Sequence, residues 1–189
     1  MKKFILMLGF LTMTMVGAHH AHAGNSSQGD ITITPMVSGY GSLNSNAYYF
    51  MTYGVDLGYF VANGLELGVR GQGIYLNSKN TVPSDSANAS YDLNGLGAEG
   101  FARWHFYDFG NNAGSVFATI GAGGLWMSDA YTPLSATNAY FSGVTGLGVN
   151  MNMTDNVKFM ASANYRHIGN FDSTGIDGLG GTLGLQFSF

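Results

Sequence analysis

The stretch that decides the fold is Gly181-Thr-Leu-Gly-Leu-Gln-Phe-Ser-Phe189. Apolar residues occupy positions 183, 185, 187 and 189, and small or polar residues occupy the positions between them. A period of two is typical of a β-strand whose two faces meet different surroundings. We expect this segment to be the last strand of a closed sheet, in which it pairs with the first strand and leaves no open edge.

The first 23 residues predict a secretion signal rather than part of the fold. Lys2 and Lys3 give a basic start, residues 4–16 form an apolar run, and Ala21-His22-Ala23 supplies small residues before Gly24. The apolar run is too short to span a membrane as a helix. We therefore predict a cleaved signal peptide over residues 1–23 and a single β-barrel domain over residues 24–189.

The composition favours a long-stranded β-protein in an exported setting. Charged residues make up 10% of the chain, well below the roughly 25% of an average soluble domain. Glycine accounts for 29 of 189 residues and aromatics for 14%. Acidic residues outnumber basic ones by eleven to seven, which argues against a nucleic-acid partner. There is no cysteine for a disulfide framework.

Alternating patterns predict eight strands. Pro35 weakens the first, and Asn63-Gly64 is a strong signal for a hairpin turn. The connections are predicted to be short after strands two, four and six and longer after strands three, five and seven, with 76–90 and 128–138 as the main loops. Short turns at one end, longer loops at the other and an even strand number are typical of outer-membrane barrels. The predicted strands cover residues 30–40, 49–59, 65–72, 93–107, 116–126, 141–153, 157–166 and 181–189.

Charged residues fall on the strand face opposite to the apolar one. A charge on the lipid face of a barrel costs about 2–4 kcal/mol near the midplane, so these side chains are predicted to face the lumen and to pair there. His105 shares their parity. A salt-bridge network is the favoured interpretation, and a narrow gated pore is the alternative. The predicted lumen network comprises Asp56, Glu66, Arg70, Glu99, Arg103, Lys158 and Arg166.

Aromatic residues cluster near both ends of the predicted strands. Two such girdles match the two interfaces of a bilayer. The turn-end group contains Tyr59, Trp104, Phe106, Phe187 and Phe189, and the loop-end group contains Tyr49, Tyr75, Trp126, Phe141 and Tyr165.

Three segments and the terminal aromatic give the chain its resemblance to known proteins. Tyr53-Gly-Val-Asp-Leu-Gly-Tyr-Phe60, Ala62-Asn-Gly-Leu-Glu-Leu-Gly-Val69 and Gly100-Phe-Ala-Arg-Trp-His-Phe106, together with Phe189, resemble the eight-stranded outer-membrane barrels of the OmpA/OmpX type. The resemblance implies residence in the bacterial outer membrane, among its lipids and lipopolysaccharide. It also implies that Phe189, with Phe187, is the signal that the barrel assembly machinery reads.

One segment is similar to an enzyme motif. Tyr165-Arg-His-Ile-Gly-Asn170 and Gly175-Ile-Asp177 resemble the His-x-Ser-Asn region of outer-membrane lipid A deacylases, which are also eight-stranded barrels. That resemblance implies a catalytic role for His167 and Asp177. However, Gly169 stands where the family has its nucleophilic serine, and a histidine without a nucleophile does not support acyl transfer.

The sequence points to no metal or cofactor. Gly95-Leu-Gly-Ala-Glu-Gly100 fits a dinucleotide fingerprint only in letters, because it lies within a predicted strand rather than before a helix. We therefore expect a non-enzymatic, structural or surface-interacting outer-membrane protein that acts through its external loops. Their ligand is not evident from the sequence. A deacylase-like membrane esterase and a small-solute pore are the alternatives.

Overall fold

The computed structural model describes residues 27–43, 47–79, 90–111, 113–128, 138–169 and 175–189, with only the backbone of 78, 79, 90 and 91. The predicted signal peptide lies outside these residues. Eight antiparallel strands form one closed barrel in sequence order, which confirms the predicted fold. In the described ranges, no helix is long and apolar enough to cross a membrane. The strands are β1 (Ile31–Ser42), β2 (Ala47–Ala62), β3 (Leu65–Lys79), β4 (Ser90–Asp108), β5 (Gly114–Met127), β6 (Ala139–Asn152), β7 (Val157–Gly169) and β8 (Gly175–Ser188).

The last strand closes the barrel against the first. Ile31 and Phe189 exchange two backbone hydrogen bonds, with N···O distances of 3.2 and 2.9 Å. From there, the pairing of β1 with β8 extends from the Thr32–Ser188 pair to the Ser42–Gly178 pair. Closure satisfies the backbone of both terminal strands, which a lipid environment requires. This pairing is the one that the alternation over residues 181–189 predicted.

The hairpin between β2 and β3 turns where Asn63 and Gly64 predicted it. Gly64 has a φ of 77°, in the left-handed region that glycine adopts without a steric penalty. β3 then begins at Leu65.

Two of the loops predicted from the sequence are longer than the corresponding connections in the structure. Residues 76–79 and 90 belong to β3 and β4, and Leu76 is fully buried opposite Leu93. β7 continues to Gly169 and β8 already starts at Gly175, so only residues 170–174 connect them. The long loop predicted after strand seven is therefore wrong. Polar and glycine-rich sequence suggested loops, whereas barrel pairing extends these strands and Gly178 faces inward where a Cβ would lie 2.5 Å from the Phe50 ring.

Pro35 lies within β1 although it has no backbone N–H, and the strand pairing shows which hydrogen bond is missing. It sits opposite Val55 of β2. On the β8 side the ladder skips from Ile33 to Met36. Because Ile31 bonds to Phe189 and the pattern repeats every two residues, position 35 is one whose N–H would point at β8. The closing seam therefore lacks one hydrogen bond that a non-proline residue would supply.

Candidate functional site

The outer surface of the barrel carries an apolar band. Val55, Leu67 and Leu147 point outward and are 41%, 44% and 51% exposed. Their strand neighbours in sequence point inward. A soluble protein buries such residues, so their exposure on the outer surface indicates that lipid replaces water there.

Aromatic side chains border this band at both ends. Tyr59 and Phe106 are exposed toward the turn end, and Tyr49 and Trp126 toward the loop end. Tyr49 also contacts Tyr75 on β3, with ring centroids 6.2 Å apart. Amphipathic rings at these two heights suit the two interfaces of a bilayer.

The middle of the lumen contains an ionic layer built around Arg103. Its Nη2 lies 2.8 Å from Asp56 Oδ2, and its Nη1 lies 2.7 Å from Glu66 Oε2. Arg70 binds the same Asp56 with two donors, Nε at 2.7 Å and Nη2 at 3.0 Å. Thr32 donates to Glu66 from the closing side of the barrel. Each buried charge therefore faces an opposite charge, which offsets the cost of removing it from water.

A second carboxylate extends the ionic layer across the barrel. Glu99 accepts two hydrogen bonds from Arg166, at 2.6 and 3.1 Å, and one from Ser142 at 2.6 Å. Arg70 approaches the same carboxylate at 3.5 Å. These contacts link β3, β4, β6 and β7. The structure thus brings together predicted lumen charges in one network, which includes Asp56, Glu66, Arg70, Glu99, Arg103 and Arg166.

Lys158 and His105 lie deeper, toward the turn end. Lys158 is buried, with 1% of its surface exposed. The His105 ring is between Phe60 and Phe117, with centroid distances of 5.5 Å to each. Its Nδ1 lies 2.8 Å from Ser115 Oγ, and its Nε2 is 3.9 Å from Glu66. His105 thus borders the ionic layer, as its parity predicted.

The loop end of the lumen is filled by an apolar plug that the sequence reasoning missed. Phe50 is fully buried and stacks on Tyr40, with ring centroids 4.7 Å apart. The signal was present, since the alternation fails near the loop ends: 48–51, 125–127 and 140–141 are apolar on both faces. The plug comprises Tyr40, Ala47, Phe50, Ile74, Leu76, Leu93, Leu125, Met127, Tyr140, Ile168 and Ile176.

An outward-facing polar cluster lies at the loop-end rim on β7 and β8. His167 and Asp177 are opposite each other in the ladder, and His167 Nδ1 is 2.8 Å from Asp177 Oδ1. Tyr165 donates a hydrogen bond to the same oxygen. Gly175 makes room, because a Cβ there would lie 2.3 Å from the imidazole. The two residues that the deacylase resemblance implied are therefore paired as a histidine and its orienting acid.

The hydroxyl that hydrogen-bonds to this pair is the Tyr165 phenol, which donates to Asp177. The backbone position that the deacylase motif gives to serine is Gly169, at the end of β7. Ser173 falls outside the described residues. His167 and Asp177 thus supply a base and its orienting carboxylate. A catalytic triad needs both groups, but they do not suffice for acyl transfer.

Solved structures share this architecture. The chain is similar to the outer membrane protein OprG from Pseudomonas aeruginosa, with a TM-score of 0.58, 11% identity and coverage of 86% of this chain and 97% of that one. The fold is that of the small outer-membrane β-barrels. The exposed apolar band agrees with a barrel of this fold that spans a membrane.

Two further structures agree with this outer-membrane barrel fold. Neisserial surface protein A matches with a TM-score of 0.55 and 15% identity, over 84% of this chain and 97% of that one. The N-terminal β-barrel domain of Pseudomonas aeruginosa OprF matches with a TM-score of 0.51 and 19% identity, over 86% and 98%. No family model and no curated protein matches the sequence.

Proposed function

We propose that this outer-membrane barrel is a closed, non-enzymatic protein that supports envelope integrity and presents its loop end for contact at the cell surface. The observation that carries this proposal is the filled lumen. The apolar plug occupies the loop end, and paired charges occupy the middle. A barrel of this width has room for side chains rather than a water channel.

Conductance tests the closed lumen, which separates this proposal from a pore. We expect no stepwise current from the folded protein in planar bilayers across a range of voltages. A double variant, Phe50→Ala with Leu125→Ala, removes bulk from the plug and serves as the opened control. Regular channel steps from the unaltered protein would refute the closed barrel and favour the pore.

A second experiment addresses the role in the envelope. A deletion strain is expected to become more sensitive to detergent, and wild-type protein to restore resistance. Shortening the connecting segments 80–89 and 129–137 separates the two roles, because the barrel remains while the surface changes. If the shortened variant retains detergent resistance but loses contact at the cell surface, both roles are supported. If deletion of the protein leaves detergent sensitivity unchanged, the envelope role is contradicted.

The partners follow from the same proposal. The apolar band and the girdles suit outer-membrane lipids, with lipopolysaccharide in the outer leaflet. Phe187 and Phe189 end the closing strand, and Phe189 is 73% exposed. Both are proposed to be read by the barrel assembly machinery. Phe189→Ala is expected to lower the amount of folded barrel in the membrane without altering the loop end.

The His167–Asp177 pair supports one alternative function, a membrane esterase acting on lipid A. It is favoured by the 2.8 Å contact and by the position of the pair at the outward rim, where lipid head groups lie. Mass spectrometry of lipid A from cells with wild-type protein, the His167→Ala variant or neither provides the test. An acyl chain lost only with the wild-type protein would establish the esterase, and identical spectra support the non-enzymatic barrel.

A further inference from the structure

Two β-bulges turn a tyrosine outward where regular alternation would point it into the lumen. On β2 the register shifts between Ala47 and Tyr49, and the extra residue, Tyr48, is 53% exposed. On β4 the register shifts between His105 and Tyr107, and Tyr107 is 61% exposed. A bulge re-aims a side chain in this way. The chain therefore presents two additional aromatic rings on the outer surface of the barrel.

The bulge on β4 lies on a hairpin that extends past its neighbour at the turn end. The turn between β2 and β3 ends beside His105, whose N–H donates to Gly64 O at 2.7 Å. β4 continues beyond this point, and Phe109 N–H donates to Gly114 O at 3.0 Å. Gly114 in turn pairs with Met151 of β6. Exposed apolar side chains thus form one surface across three strands, the β4–β6 patch, which consists of Phe106, Tyr107, Phe109, Met151 and Met153.

A second apolar patch lies at the loop end of β1 and β2. Leu43 directly follows β1 and is exposed, and its N–H donates to Asp177 O of β8 at 2.7 Å. Tyr48 and Tyr49, at the start of β2, are also exposed and complete this β1–β2 patch. In a closed barrel of eight strands in sequence order, β1 and β2 lie across from β5 and β6. The two patches therefore lie at opposite ends and on opposite sides of the barrel.

Polar residues occupy the strand ends that face these patches across the barrel. At the turn end, β2 leads into Asn63, whose side-chain oxygen accepts a hydrogen bond from Gln28 N–H at 3.0 Å. At the loop end, β5 and β6 are bordered by Ser128 and Asn138, both of which are exposed. The apolar surface is thus displaced toward the loop end on the β1–β2 side and toward the turn end on the β4–β6 side.

A rigid barrel accommodates such a displacement by tilting. In an upright barrel both patches extend into water, which costs the free energy of exposing apolar surface. A tilt that raises the β4–β6 side and lowers the β1–β2 side brings both patches to the bilayer interfaces, where aromatic rings are favoured. The same tilt moves Ser128 and Asn138 outward and Asn63 downward, in each case into water.

We propose that the β4–β6 patch docks on the periplasmic leaflet and the β1–β2 patch on the outer leaflet, so that the barrel stands tilted in the membrane. The occupant is lipid because each patch is continuous with the aromatic girdle. Trp104 and Phe106 of the girdle are in ring contact at 5.4 Å, and Tyr107 and Phe109 follow at 6.1 Å. Tyr49 belongs to the girdle at the other end. The proposal rests on the outer-membrane location in the proposed function, and it adds that the β5–β6 side of the loop end stands highest above the lipid.

Spin labels at both ends of β2 and β6 test the tilt, because these strands face each other across the barrel. The chain has no cysteine, so each single-cysteine variant carries one label. The labels are placed in vesicles of phosphatidylethanolamine and phosphatidylglycerol. Accessibility to oxygen reports lipid, and accessibility to a water-soluble nickel chelate reports water. The variants are Ala62→Cys and Met153→Cys at the turn end and Tyr48→Cys and Ala139→Cys at the loop end.

A tilted barrel gives opposite results at the two ends. At the turn end we expect the ratio of oxygen to chelate accessibility to be severalfold higher for the Met153 label than for the Ala62 label. At the loop end we expect it to be severalfold higher for the Tyr48 label than for the Ala139 label. Equal ratios at each end would mean an upright barrel and would overturn the proposal.

Replacing Tyr107 and Phe109 by serine tests the β4–β6 patch itself. The ratio for the Met153 label is expected to fall toward that of the Ala62 label. Gln28→Ser is the matched control, because it exchanges one exposed polar side chain for another at the same end. An unchanged ratio in the double variant would overturn docking through this patch. Folding is checked by the shift in gel mobility on heating, and the four labels in the otherwise unaltered chain decide the question if the double variant fails to fold.

A label in the apolar band separates this proposal from the proposed function. The Leu147→Cys label should be accessible to oxygen, and a water-exposed label there would refute the membrane location and both proposals. Channel steps, or a deletion without effect on the envelope, would refute the closed envelope protein and leave the tilt standing. A Met153 label that is shielded from the chelate only after periplasmic proteins are added would overturn lipid docking in favour of a protein partner.

Discussion

The middle and the loop end of this barrel have opposite polarity. In the middle, Arg103 and its carboxylates face inward while Val55 and Leu67 face outward. At the loop end, the apolar plug faces inward. Polar pairs face outward there, with Asn77 Nδ2 2.8 Å from Asp92 Oδ1 and His167 2.8 Å from Asp177.

The difference locates the outer boundary of the bilayer on the protein. Within lipid there is no hydrophobic gain from filling the lumen with apolar groups, so paired charges are tolerated inside. Above the lipid, water surrounds the strands and apolar burial again drives packing. Tyr75 and Tyr165 lie two residues below Asn77 and His167 on their strands. The change therefore begins at the loop-end aromatic girdle, where the plug residues Ile74 and Leu125 adjoin Tyr75 and Trp126.

Breaking the ionic layer should have the largest effect. Arg103→Leu leaves Asp56 and Glu66 without their shared cation in a buried site, at an expected cost of about 3–5 kcal/mol in the free energy of unfolding. Urea unfolding in lipid vesicles measures the change. Arg103→Lys keeps the charge but loses one hydrogen bond, so its cost should be intermediate. A loss below about 1 kcal/mol in the free energy of unfolding for Arg103→Leu would mean that the ion pairs of this layer contribute little to stability.

Truncating the plug tests the other half of the comparison. Phe50→Ala removes a fully buried ring, and such truncations cost about 3 kcal/mol or more. The matched control is Met51→Ala, whose side chain is exposed on the same strand, with an expected change well below that of Phe50→Ala. Both are measured by the same unfolding experiment. Equal costs for the two variants would contradict a packed plug.

Placing a charge at two heights on the outer face tests where the boundary of the bilayer lies. Val55→Arg places a cation in the apolar band and is expected to cost about 2–4 kcal/mol. Asn77→Arg places it above the girdle and is expected to cost about 0–1 kcal/mol. Folding yield into vesicles and urea midpoints report both. A boundary lower on the barrel would make the two variants similar.

Repairing the closing seam should have the smallest effect, and a favourable one. Pro35→Val restores an N–H opposite β8 and adds a hydrogen bond worth about 1 kcal/mol. Part of that gain is offset because proline restricts the unfolded chain, so a net gain of about 0.5 kcal/mol is expected. Hydrogen exchange supplies the second readout, with slow exchange of the new amide. Fast exchange there would show that the seam stays open at this position.

The sequence predicted the elements whose two faces meet different solvents. Alternation over 49–59 and 181–189 gave strand existence and facing, and charges marked the inward side. It failed at Leu76 and across 175–180, where it suggested loops. At the loop end both faces of the strands carry apolar or small residues, and a period-two pattern carries no information there.

The candidate site, too, was predicted only in part from the sequence. The resemblance to deacylases indicated His167 and Asp177, yet only the ladder register placed them opposite each other. Which carboxylate binds which arginine could not be read from the sequence. Arg166 and Glu99 are 67 residues apart and meet across the lumen, a contact that depends on how the barrel closes.

The sequence alone determined that a barrel forms, because the alternation of apolar and polar residues requires two different environments and the closing strand requires a partner. Only the tertiary structure decided how the lumen is filled. Closure brings inward side chains from eight strands into one narrow space. Their pairing and the plug depend on distances between strands far apart in sequence.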